Sequence, residues 1–144
     1  MSRADSESGV AEQHLRATST VGERVTTLVA VLDTMLVARA TSVSSTAVRK
    51  WAEGTEPRSE AAMAIDDLRA LTVVLLEGGF EPERIRSWLV SRDYDWLDGA
   101  RPLDEVAKRP GLVMSAAHDA VIVHRFGPEA AAAAEHRDDP DDTR

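Results

Sequence analysis

The sequence predicts an all-α fold, a helix-turn-helix bundle followed by a small helical C-terminal subdomain. Three observations lead there. From Glu23 onward apolar residues recur at three- and four-residue spacing, the stripe of amphipathic helices. Glycine and proline then punctuate the chain into segments of helix length. No sustained, strand-like alternation of apolar and polar residues appears, as a half-buried strand would require.

Residues 1–22 are polar, carry scattered Ser, Thr and Gly, and read as a flexible arm. Val25, Leu28, Val29, Leu32, Met35 and Leu36 form the first apolar stripe, with a break at Asp33 or Thr34 before a short helix over 35–40. Thr41 to Ser44 make a turn, and 45–53 a third helix closed by Gly54 and Pro57. Residues 59–77 read as a long helix with Ser59 as N-cap and Gly78-Gly79 as its stop. Its last part, Leu71, Val73, Val74, Leu75 and Leu76, is apolar on every side, which predicts burial against the next segment or a second subunit.

Pro82 then opens a helix with Ile85, Trp88 and Leu89 inward, because proline suits the first helical position. Asp98-Gly99 makes a turn, and Pro102 starts a short helix carrying Leu103, Val106 and Ala107. Pro110-Gly111 breaks the chain before a last helix over 112–126, which Gly127-Pro128 ends. The domain reading is an arm over 1–22, a helix-turn-helix domain over 23–79, a helical domain over 80–127 and an acidic, disordered segment over 128–144.

Charge and composition narrow the function classes. The net charge is −8, which at first sight disfavours a polyanionic partner. The excess of acid is uneven, however. Residues 23–60 hold five charges of each sign, whereas 128–144 hold six acids against two arginines. There is no cysteine, so no disulfide framework, thiolate metal site or cysteine nucleophile, in keeping with a reducing cytoplasm. Apolar runs such as 73–76 are far too short to span a bilayer, and residues 1–22 lack the apolar core of a signal peptide.

The informative stretch is 37–54. Ala38 is small where two helices cross, and Ser42 occupies a tight-turn position that favours positive φ. Val43 plugs the core from the turn, and Ser44 caps the third helix by accepting from an orphan N–H. Val48 and Trp51, three residues apart, anchor that helix inward, and Gly54 closes it. Ser45, Thr46, Arg49 and Lys50 then share the outer face. Two hydroxyls, a guanidinium and an ammonium near a helix N-terminus suit base edges and phosphates of a DNA major groove. Arg58, just past this helix, is placed for a further phosphate. The stretch resembles the Xre/Cro-type repressor family in Val43-Ser44, Val48, Trp51, Gly54 and Pro57. It departs from it at Ser42, where the family prefers glycine, and in lacking a glutamine at the start of the reading helix.

A second signature follows: Trp88-Leu89, then Trp96-Leu97-Asp98-Gly99-Ala100-Arg101-Pro102-Leu103. It resembles the toxin-binding domain of the Xre/MbcA/ParS antitoxin family, with its tryptophan-leucine pair and Leu-x-Gly-x-x-Pro-Leu run. The resemblance implies a helical antitoxin, usually dimeric, that sequesters a RES-type, NAD-consuming toxin and represses its own operon. Read on their own, Trp88, Leu89, Trp96, Leu97 and Leu103 are core residues, with Gly99 and Pro102 forming a turn.

Chemistry is missing. His118 and His124 fall on different helical faces, and no phosphate-cradling glycine loop or nucleophile elbow occurs. Asp66-Asp67 and Asp104-Glu105 are adjacent and diverge on a helix, unlike paired catalytic carboxylates. The expectation is therefore no catalytic residue, no metal and no cofactor. The partners expected are an operator in double-stranded DNA, a cognate toxin and a second copy joined through 71–76 or the segment after it. The alternative is a stand-alone helix-turn-helix repressor whose C-terminal part only dimerises.

Overall fold

A computed structural model describes residues 20–92 and 97–127. Most of the arm, Trp96 and the acidic segment fall outside them. Within them the chain is all-helical: α1 (Val21–Leu32), α2 (Thr34–Thr41), α3 (Ser45–Ala52), α4 (Ser59–Glu77), α5 (Pro82–Leu89), α6 (Pro102–Glu105) and α7 (Pro110–Phe126). None of these helices is long and apolar enough to cross a membrane.

Helix α1 starts earlier than the polar composition of its first residues predicts. Glu23 N–H donates to Thr20 Oγ1 (3.2 Å), and the Thr20 hydroxyl donates to Glu23 Oε1 (3.0 Å). This threonine-glutamate capping pair draws Val21 and Gly22, read as the end of the arm, into a buried first turn. Val25, Leu28 and Leu32 are fully buried. A single residue joins α1 to α2. Asp33, at φ 78°, donates its N–H to Val29 O (2.8 Å) and accepts Leu36 N–H on its side chain (2.8 Å). That reversal turns Met35 outward, 72% exposed, so it leaves the stripe expected for it.

The long helix α4 is the spine. Ile65, Leu68, Leu71 and Leu75 are buried, as are Val73 and Leu76, and Val74 is half-buried, so most of the 71–76 stretch is covered within one chain. Arg58, in extended backbone, holds the N-cap position, and Ser59 is the first helical residue. The serine expected to cap therefore does not. Helix α4 ends at Gly78, with Gly79 N–H bonding Leu76 O and Phe80 N–H bonding Leu75 O, both 3.0 Å, the paired closure of a helix C-terminus.

Helices α5, α6 and α7 pack back on this frame. Ile85, Trp88 and Leu89 of α5 are buried, and Arg86 Nη1 donates to Val31 O (2.7 Å) at the end of α1. Leu97, Leu103 and Val106 enter the core around α6, which ends at Glu105, and Ala107 beyond it is exposed. Helix α7 begins at Pro110, so Pro110-Gly111 forms its first turn instead of breaking the chain before it. The buried residues make one cluster from Val21 to Ala117, continuous across the turn at 78–79.

Candidate nucleic-acid interface

The turn before α3 is built as its residues dictate. Ser42 sits in left-handed backbone (φ 60°, ψ 41°), and Val43 N–H bonds Ala38 O (3.0 Å). Ala38 is buried, and Val43 is half-buried against the core. Thr41 is buried yet satisfied, its hydroxyl donating to Val37 O (2.7 Å). Ser44 then caps α3, accepting Ala47 N–H on Oγ (3.1 Å). These contacts fix the start of α3 to the end of α2.

Helix α3 has two distinct faces. Val48 is fully buried and Trp51 6% exposed. Thr46, Arg49 and Lys50 are exposed, and Ser45 is half-buried, so three of the four expected readers are open and the fourth lies at the edge. The helix closes where Gly54, at φ 115°, donates its N–H to Trp51 O (3.0 Å) and Thr55 N–H reaches Lys50 O (2.9 Å). A side chain at 54 would meet open space, so backbone conformation alone asks for glycine there. Gly22 of α1 is close to this end, its missing Cβ 3.0 Å from Ala52 O.

The cations divide by partnership. Arg39 of α2 is bound to Asp104 of α6 (3.1 Å), which Arg101 also holds (2.8 Å). Burial alone would raise the Asp104 carboxyl, but hydrogen bonds and charge from Arg101 and Arg39 hold it below its ordinary value. Arg24 and Arg69 both flank Asp66 (3.5 and 3.7 Å). Arg49, Lys50 and Arg58, by contrast, have no ion pair among the described residues. Arg58 lies with Ser42 and Val43 on a groove of about 470 Å³ whose α4 wall carries Met63 and Asp67. Burial, and then the charge of Asp66, push the Asp67 carboxyl above its ordinary value.

No family model, curated protein or solved structure matches this chain. The geometry alone therefore describes the second motif. Trp88, Leu89, Leu97 and Leu103 are buried, as is Pro102. Gly99 is exposed at φ 78° after Asp98 at φ 56°, a left-handed pair that reverses the chain into α6. Trp96 lies outside the described residues. Sequence reading missed the Arg39–Asp104–Arg101 group, and only the Arg101–Asp104 spacing of three held a local signal for it. Among the described residues no group of three His, Cys, Asp or Glu is placed to hold a metal.

Proposed function

We propose that this chain is a DNA-binding antitoxin of the cytoplasm, which represses its own operon through α3 and neutralises a RES-type toxin by direct binding. The DNA half rests on one observation. A short, capped helix is clamped by Val48 and Trp51 while Thr46, Arg49 and Lys50 stand exposed and unclaimed by neighbouring acids. Such a helix fits a major groove, and its cations are available to phosphate and guanine. The chain's acidity makes that contact local, from a few placed groups rather than a basic field.

Fluorescence anisotropy on the duplex upstream of the chain's own coding region, against a scrambled duplex, tests it. The expected result is preference for the former, with affinity falling steeply as salt rises. Equal affinity for both, or none, refutes DNA reading by α3.

The antitoxin half rests on the resemblance of the Trp88-Leu89 and 96–103 segments. A second reading, a stand-alone repressor, is favoured by the burial of Trp88, Leu89, Leu97 and Leu103, which a purely structural C-terminal half also requires. Co-expression with the adjacent gene separates the two. An antitoxin restores growth to cells expressing a toxic neighbour, and a harmless neighbour leaves the repressor.

A further inference from the structure

The outer face of α3 holds cations that no neighbour among the described residues neutralises. Arg49 and Lys50 are exposed, and neither they nor Arg58 has an ion pair there, although the chain carries a net charge of −8. Arg24, Arg39, Arg69, Arg101 and Arg109, by contrast, each sit against an Asp or Glu. The densest acid in the chain lies in residues 128–144, outside the described structure. Asp138, Asp139, Asp141 and Asp142 place four carboxylates within five positions, beside a single arginine, Arg137.

Chain length lets the two meet. Helix α7 starts at Pro110, which shares a groove with Ser42 and Arg58, and its 17 residues end about 25 Å from there. Helix α3 begins three residues after Ser42 and is about 12 Å long. Fifteen residues lead from Gly127 to Asp142, and an extended chain of that length spans up to about 50 Å, more than both distances together. We propose that residues 138–142 fold back against the outer face of α3 in the same chain, and that DNA must displace them. A tethered segment meets its site at an effective concentration of about millimolar, so even a few screened ion pairs keep it there part of the time. The contact itself is independent of what α3 reads, whereas the competition rests on α3 being the DNA-binding helix. Because the acids block every duplex equally, they weaken preferred and scrambled DNA by one factor and leave the ratio unchanged.

Two measurements on the full chain test it. The chain has no cysteine, so Thr143→Cys carries a single nitroxide label. In DNA-free protein at low salt the label should broaden the amide signals of 45–52 more than those of 119–126, beside the point of attachment. Adding salt, or the combined Asp138→Asn, Asp139→Asn, Asp141→Asn and Asp142→Asn substitutions, should reverse that order. On DNA the same combined variant should bind the upstream and scrambled duplexes about three- to tenfold more tightly, both alike, with the gain shrinking as salt rises. Removing four negative charges favours DNA even without a contact, so the broadening is decisive. Signals of α3 broadened no more than those of 119–126, or unmoved by the four substitutions, overturn the proposal whatever the DNA result. Broadening only between a labelled chain and a second, unlabelled copy places the acids on a neighbour and overturns the contact within one chain. Broadening of α3 with equal DNA affinities for the two chains overturns the competition, and broadening with no DNA binding by either supports the contact and refutes DNA reading by α3.

Discussion

A Cβ on Gly78 would collide with the side chain of Val121, so the end of α4 and the middle of α7 meet through a missing atom. Gly78 has ordinary helical backbone (φ −73°, ψ −5°), and nothing about its own conformation requires glycine. Two effects of Gly78→Ala therefore compete. Backbone entropy favours alanine by up to about 1 kcal/mol. Overpacking against a β-branched side chain with little freedom to turn away costs about 1–3 kcal/mol.

The clash wins on these magnitudes. Gly78→Ala should lower the melting temperature, and Val121→Ala in the same chain should recover part of the loss. A thermal scan in which Gly78→Ala alone is stabilising would show that α7 yields at this point.

Ser42 predicts the opposite sign. A serine in left-handed backbone carries a steric cost of about 1–2 kcal/mol, and its exposed side chain loses no burial when removed. Ser42→Gly should raise stability by about 0.5–1 kcal/mol after glycine's greater unfolded freedom is subtracted. Urea denaturation with an unchanged slope is the check. A loss of stability would mean that the hydroxyl itself holds the turn.

Two carboxyls should give pH dependences of opposite sense. Asp104 has a depressed folded value, so its contribution is present above the ordinary carboxylate range and disappears as pH falls through the folded value. Asp104→Asn should therefore destabilise at pH 7 and matter least in strong acid. Asp67 is raised, so its ionised form opposes folding at neutral pH, and protonation relieves this as pH falls through the folded value. Asp67→Asn should stabilise at pH 7, with the gain vanishing towards acid. Melting curves of the two variants from pH 7 downward should diverge in sign at the start and converge at the end.

On α3, reading and anchoring separate by residue. Arg49→Ala should cost about 1–3 kcal/mol on the preferred duplex and less on scrambled DNA, because its fork suits a guanine edge. Lys50→Ala, about 100° round the helix, should weaken both duplexes alike and flatten the salt dependence by about one counterion. Trp51→Ala should instead lose about 3–5 kcal/mol of stability, since the ring is buried. An unchanged ratio between the two duplexes for Arg49→Ala would displace the reading face.

What was legible in the sequence was local. Ser44 as a cap, Ser42 in positive φ, Val48 and Trp51 facing inward, and Gly54, Gly78 and Pro82 as punctuation are all set by neighbours within one helical turn. Each stands in the structure where spacing places it. Non-local placement was not legible. Arg39 meets Asp104 across 65 residues of chain, and no periodicity encodes that. The apolar 71–76 stretch reads the same whether its cover comes from α5 and α7 or from another molecule, and only folding distinguishes them. Ser59 and Met35 were misplaced for a smaller reason. A helix boundary shifts by one residue at little cost, which puts Arg58 rather than Ser59 at the cap, and Met35 was carried in the first stripe across the reversal at Asp33.

Arg86 brings a full positive charge to the carbonyl end of α1, where the aligned peptide dipoles leave partial negative charge. One hydrogen bond thus ties the last turn of a helix in the first half of the chain to a helix in the second. Opening either partner exposes a buried carbonyl or strands a guanidinium. Under native-state hydrogen exchange the amides of α1 and α5 should then open together, as one foldon. A fragment cut between 79 and 80 would inherit α1 with its end unstoppered, and would fray from Leu32 backwards into the helix that carries α3.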